Sequence, residues 1–243
     1  ERDEVRSITD WNDYNGTFKI NPDDRCVVYA KVTDNDGNVT FINSEGIILD
    51  AIVPVIEGIE NGKTYYTLQR FTVKESNYQS VTINGNPSNP SITFALGGNV
   101  DKTYVIVATD KAGNTTTVTV TMKPISDLSK PIDTVTKGNV NSSYKQAVDG
   151  VKAAVAAVDT TNATDAEKEA LKAIADKTAE LEKVIDDTVA ENKRISNKVG
   201  KYDIETVTSD DKEQLEQLLS DIQKQLKSTN LTRGETSKLK GEK

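Results

Sequence analysis

Asp34, Asp36 and Asn38 stand at alternate positions of the stretch T-D-N-D-G-N-V-T, residues 33–40. Oxygen-bearing side chains at steps of two are how a calcium loop begins. Counting from Asp34, the sixth and twelfth positions, where an EF-type loop has Gly and Glu, are Val39 and Glu45, and no helical pattern flanks them. A near twin, T-D-K-A-G-N-T-T, occupies residues 109–116. Asp110, Gly113 and Asn114 lie 76 residues after Asp34, Gly37 and Asn38, while Lys111 and Ala112 replace Asn35 and Asp36. The second copy keeps the turn-forming Gly and Asn, which accept positive φ cheaply, and loses the second acidic ligand. The common task of the two stretches is to reverse the chain. No metal and no cofactor are expected; Asp34, Asp36 and Asn38 are the candidates should an ion bind.

Trp11 and Tyr14, in W-N-D-Y, could form an aromatic platform for a sugar ring, or could simply pack in a core or an interface. Carboxylate pairs such as Asp186-Asp187 and Asp210-Asp211 could serve a glycosidase only if two of them faced each other across a cleft, one with a raised pKa. On helical faces they read as solvated charge. The 243 residues contain no histidine, so the commonest general base, nucleophile activator and zinc ligand is missing. Cys26 is the one cysteine, which excludes an internal disulfide and a thiolate cluster; without histidine it reads as a small apolar strand residue. No catalytic residue is expected, and the chain is not read as an enzyme. A net charge of −8 argues against nucleic acid and anionic membrane surfaces as partners. No apolar run is long enough to span a bilayer.

The elements that would position these groups differ between the two halves. Up to about residue 125, short runs rich in Thr, Val, Ile and Tyr alternate in polarity: 17–21, 26–32, 39–43, 65–73, 80–85, 91–96, 103–109 and 115–122. They predict strands of a β-sandwich, in which each strand sends alternate residues into a core between two sheets. With a 76-residue period, residues 51–124 make a whole module. Residues 1–50 then form the C-terminal part of a truncated one, with a sheet edge open to another chain. The stretch 123–141 has two prolines and a glycine, and residues 125–141 within it are expected to be a linker.

From residue 142 Ala, Lys, Glu, Leu and Asp dominate, and the spacing turns helical. Tyr144, Ala147, Val151, Ala154 and Val158 form one stripe. Leu171, Ile174, Thr178, Leu181, Ile185, Thr188, Asn192, Ile195 and Val199 form a second, and Leu215, Leu219, Ile222 and Leu226 a third. Such seams predict helices packed nearly antiparallel in a bundle or coiled coil. Thr164-x-x-Glu167 and Thr232-x-x-Glu235 are capping boxes 68 residues apart, so the helical half also repeats, its second copy cut at Lys243. Gly200 is expected to end the long helix in a left-handed conformation.

Residues 29–66 and 104–121, with V-x-D-x-x-G-N-x-T hairpins and the Asp50-to-Pro54 spacing of a D-x-x-x-P link, resemble the immunoglobulin-like repeats of large surface or secreted proteins of Gram-positive bacteria. The resemblance covers about the first half of the chain. It implies Ig-like β-sandwich modules, here followed by an antiparallel helical bundle: a multidomain all-β plus all-α chain, extracellular, at the cell surface or secreted. The function expected is a non-catalytic structural or adhesion segment, a spacer and possible interaction module. The alternative is an accessory, non-catalytic region of a secreted carbohydrate-active enzyme. Expected partners are a host or cell-wall protein or a glycan, with neither nucleic acid nor membrane insertion.

Overall fold

The computed structural model describes residues 2–21, 25–88, 91–203 and 205–241. Both predicted kinds of structure are present: apart from a short helix at Arg2–Arg6, strands come first and helices after. The strands are β1 (Arg25–Cys26), β2 (Tyr29–Thr33), β3 (Val39–Asn43), β4 (Ile47–Ile48), β5 (Val55–Glu57), β6 (Thr64–Tyr65), β7 (Gln69–Lys74), β8 (Tyr78–Ile83), β9 (Asn86–Pro87), β10 (Thr93–Leu96), β11 (Lys102–Asp110) and β12 (Thr115–Met122). The helices are α1 (Arg2–Arg6), α2 (Lys145–Ala156), α3 (Asp165–Val199), α4 (Lys212–Leu226) and α5 (Arg233–Gly241). The chain divides into two compact units: residues 1–63, 70–95 and 103–120 in one, and 64–69, 96–102 and 121–243 in the other.

In the first unit β2 and β3 pair as an antiparallel hairpin, and β1 pairs with β4. Strands β10, β7 and β5 form one sheet, and β6, β12, β11, β8 and β9 another, in those orders. Each of these two sheets buries one face, because apolar residues recur at steps of two. Phe71, Val73, Phe94 and Leu96 are buried on the first; Val81, Ile106, Ala108, Val118, Val120 and Met122 on the second. Phe71 and Phe94 stack with ring centroids 4.8 Å apart.

The run 65–73, read as one strand, is two, Thr64–Tyr65 and Gln69–Lys74. The chain leaves the strand conformation at Tyr66–Leu68 because its polar groups there bond to helical segments instead of a neighbouring strand. The Thr67 hydroxyl donates to the Asp159 carbonyl at 2.5 Å, and the Leu68 N–H donates to Glu167 Oε1 at 2.9 Å. Periodicity within 65–73 contains no trace of partners about 90–100 residues away.

Residues 125–141 pack against the helices. Ile125–Ile132 forms a 3₁₀ helix after Pro124, and Ile125, Leu128, Ile132, Val135 and Val140 are all buried. Ile125 and Leu128 cluster with Leu171, beside Tyr66, Val158 and Ile174. Ile132, Val135 and Val140 cluster with Val148, Val151, Leu181 and Ile185. Lys177 Nζ donates to the Ile132 carbonyl at 2.8 Å. Prolines and a glycine suggested a linker, but the apolar residues between them repeat every three to four positions and find a groove to fill.

Helix α3 runs 35 residues, about 52 Å at about 1.5 Å per residue. Its buried stripe contains Leu171, Thr178, Leu181, Ile185, Thr188 and Ile195, as the spacing predicts. Thr178 is accommodated by donating to the Ala175 carbonyl at 2.7 Å. Lys145 and Lys152 of α2 both reach Glu182 of α3. Arg194 and Asn192 of α3 pair with Asp221 and Gln225 of α4, so α3 and α4 run antiparallel. Three details depart from the stripes read off the sequence. Val148 rather than Ala154 fills the α2 core, Leu218 rather than Leu219 is buried on α4, and Gly200 caps α3 with φ −65°, in the right-handed region. At α4 both leucines suit a heptad-like seam, and burial selects the one that lies with Ile195, Ile222 and Leu239.

Candidate functional site

At the 33–40 turn, both carboxylate oxygens of Asp34 are taken up by the chain itself. Oδ1 accepts the N–H of Asp36 at 3.0 Å and of Asn38 at 2.8 Å. Oδ2 accepts the Asn38 amide at 2.9 Å. Gly37 has φ +85°, which a residue with Cβ rarely adopts. The side-chain and backbone donors of Asn38 hold the Asp34 carboxyl below its usual range. Asn38 therefore presents a donor where a calcium ligand would present oxygen. Asp36 contributes its N–H to this turn rather than a convergent carboxylate, and no group of three or more acidic, Cys or His side chains converges among the described residues.

The 109–116 turn repeats this geometry atom for atom. Asp110 Oδ1 accepts the Asn114 N–H at 2.8 Å, its Oδ2 accepts the Asn114 amide at 2.8 Å, and Gly113 has φ +93°. Burial pushes the Asp110 carboxyl up, and the donors of Asn114, Ala112 and Gly113 outweigh it, leaving the group below its usual range. Here Asn114 does something that Asn38 does not. Its amide also donates to the Asp50 carbonyl at 2.7 Å, and the Thr116 hydroxyl donates to the Pro54 carbonyl at 2.5 Å. The 50–54 segment is thus tied to the 109–116 turn.

Trp11 donates its indole N–H to the Ile8 carbonyl at 2.8 Å and leans on Phe41, centroids 5.7 Å apart and planes at 43°. Tyr14 is 81 % exposed. The two sequence candidates for a ligand platform do come together: with Phe18, Tyr29 and Lys31 they line an open cleft of about 910 Å³. Asp10 and Asp13 lie on its wall and are exposed. The cleft offers aromatic ring faces and hydrogen-bonding groups. Cys26 is half-buried and unpaired by disulfide.

Sequence reasoning missed a buried carboxylate that holds a distant segment. Glu167 is 7 % exposed and was read only as the end of a capping box. That box forms: Glu167 Oε2 accepts the Thr164 N–H at 2.8 Å, and Thr164 Oγ accepts the Glu167 N–H at 3.2 Å. Glu167 Oε1 is left over and takes the Leu68 N–H. Gly98 closes over the same carboxylate: a Cβ placed there would meet Glu167 Oε1 at 2.1 Å and the Leu68 nitrogen at 2.2 Å. The only local signal was the paired glycine at 97–98, which reads equally well as a turn.

Several charges on the helices pair with one another. Lys145 is shared by Asp149 and Glu182, and Arg194 by Glu191 and Asp221. Lys152 and then Lys145 hold the Glu182 carboxyl below its usual range, and Arg194 does the same for Glu191 and Asp221. These are cross-links between neighbouring helices and turns. Among the described residues, no helix is long and apolar enough to cross a membrane.

No family model matches the chain, and no curated protein does. Among solved structures, it is similar to one described as the Bacteroides ovatus mixed-linkage glucan utilization locus SGBP-B in complex with mixed-linkage heptasaccharide. The identity is 19 % and the TM-score 0.20, over 42 % of this chain and 30 % of that one. The chain spans under a third of that protein, and so low a TM-score does not establish a common fold.

Proposed function

We propose that this chain is a non-catalytic segment of a multimodular bacterial surface or secreted protein, in which Ig-like modules lead into a helical spacer. The duplicated Asp-x-x-Gly-Asn turn and two sheets with alternating buried residues support the Ig-like identity. The observation that carries the spacer role is the bracing of residues 121–171. A spacer transmits position only where the chain between its elements does not bend freely. Here the chain after β12 is a packed 3₁₀ helix, and Glu167, Thr67 and Lys177 fasten the neighbouring loops to the start of the helical bundle.

Hydrogen–deuterium exchange tests this. Amides such as those of Asp127, Val135 and Val140, which bond to Pro124, Ile132 and Thr136, should exchange as slowly as those in the first turns of α3. Exchange at the rate of an unstructured peptide across 125–140 would refute the spacer role.

The reading as an accessory region of a carbohydrate-active enzyme is favoured by one observation, the aromatic cleft at Trp11 and Tyr14. Tryptophan fluorescence titrated with plant and mucin-type glycans separates the two. Saturable quenching that disappears in Tyr14→Ala, which keeps the single tryptophan, supports the accessory role, and no response across the panel supports the spacer.

A further inference from the structure

Among the described residues, the two exposed aromatic side chains stand in one place. Tyr14 is 81 % exposed and Phe18 62 %, and both line the cleft that also holds Trp11 and Tyr29. Aromatic residues make up 5 % of the chain, yet four of them meet along this cleft. A single exposed ring is ordinary; several lining one concave surface mark a place where something binds.

One wall of the cleft is the stretch from Ile8 to Lys19, which has no regular secondary structure, and the other is Val28 with strand β2. Trp11 is fixed before any ligand arrives, because its indole N–H is taken by the Ile8 carbonyl and its ring leans on Phe41. It offers a ring surface and no donor, and it loses little side-chain freedom when a ligand arrives. Tyr14 adds a ring and a hydroxyl, and Asn12, Asn15 and Thr33 add amide and hydroxyl groups.

The charged residues of the cleft are Asp10, Asp13, Lys19 and Lys31, two of each sign. A polyanion would meet the two carboxylates and a cation the two ammonium groups, so this lining suits an uncharged ligand. A purely apolar ligand would strip water from the amides and hydroxyls and return no hydrogen bond. A neutral sugar meets both demands. Its C–H face packs on the electron-rich face of an aromatic ring, and its hydroxyls bond to polar groups at the edge. The cleft measures about 910 Å³ and adjoins a depression of about 390 Å³, with Ile8 and Tyr29 common to both. Glu4, the one charged residue of that depression, gives an anionic ligand no help.

We propose that this cleft binds an uncharged chain of β-linked pyranoses whose ring substituents are all equatorial, as in a β-glucan. Both faces of such a sugar carry only C–H bonds, so it lies flat on a ring from either side, whereas an axial hydroxyl lifts it off one face. The inference rests on the accessory-region reading, which places a glycan in this cleft, and names the class of glycan.

Cellohexaose titrated into the full chain tests it. Trp11 is the single tryptophan, so its fluorescence reports on the cleft directly. Saturable quenching is expected, with a Kd that stays the same between about 50 and 500 mM salt, because no charge on the ligand is screened. Tyr14→Ala and Phe18→Ala should each weaken binding by about tenfold. Both side chains are exposed, so the melting temperature should not change. Full affinity in both variants would overturn the proposal. Equal quenching by an α-linked mannose oligomer, or quenching by sialylated or sulfated glycans alone, would overturn it and leave the accessory reading standing. No quenching by any of these sugars would overturn both.

Discussion

Replacing Glu167 with Ala removes three connections at once. The first is the capping box, worth about 1 kcal/mol. The second is the bond to the Leu68 N–H, a half-buried donor that loses its acceptor, at about 1–2 kcal/mol. The third is packing: the side chain is 7 % exposed and Gly98 closes on it, so deletion leaves a small void. Together these predict a loss of about 3 kcal/mol, which lowers the melting temperature of a unit this size by about 6–12 °C. Glu167→Gln keeps one acceptor oxygen and most of the volume, and should lose only about 1 kcal/mol. The assay is thermal and urea unfolding of the full chain followed by far-UV circular dichroism, where the helical signal reports the second unit. A Glu167→Ala protein within about 0.5 kcal/mol of the parent would show that the Leu68 bond and the cap are not coupled to folding, and would remove the bracing on which the spacer role depends. A Gln variant as damaged as the Ala variant would show instead that charge, and not hydrogen-bond geometry, is what matters there.

Three further outcomes are expected. Asn114→Ala should destabilise the first unit by about 2 kcal/mol, and Asn38→Ala by about half of that, because Asn114 alone also holds the Asp50 carbonyl; equal losses in a denaturation series would contradict the distinction. Stability of the helical unit should fall as the pH drops through the low carboxylate range. Glu182, Glu191 and Asp221 have folded pKa values below their unfolded ones, so their contribution is complete above about pH 4.5 and disappears on protonation. A helical melting temperature that is flat between about pH 5 and pH 3 would refute this. Neither calcium nor EDTA should move the melting temperature by more than about 1 °C, since the Asp34 oxygens are already committed to N–H donors; a shift of several degrees with calcium would restore Asp34, Asp36 and Asn38 as ligands.

What could be read from the chain alone is what its local interactions decide. The two turns were legible because Asp, Gly and Asn complete their hydrogen bonds within five residues, so the same letters give the same geometry in both copies. The capping boxes at Thr164 and Thr232 were legible for the same reason. The α3 stripe was legible because a helix of 35 residues repeats its pattern often enough to define one face.

The tertiary structure decided whatever depended on a distant partner. Tyr66–Leu68 looks like strand and is not, because Asp159 and Glu167 compete for its polar groups. Residues 125–141 look like a linker, yet Ile125, Leu128, Ile132, Val135 and Val140 are buried, because prolines punctuate a segment without saying whether a groove awaits it. Thr17–Ile20 has the letters of a strand and forms none, because a strand exists only by pairing and nothing described here pairs with it. Leu218 and Leu219 are chemically alike, and only the helix that meets α4 decides which one is buried. A hydrogen bond that closes over three or four residues is encoded where it is made. One that closes over a hundred is encoded in two places at once, and neither place names the other.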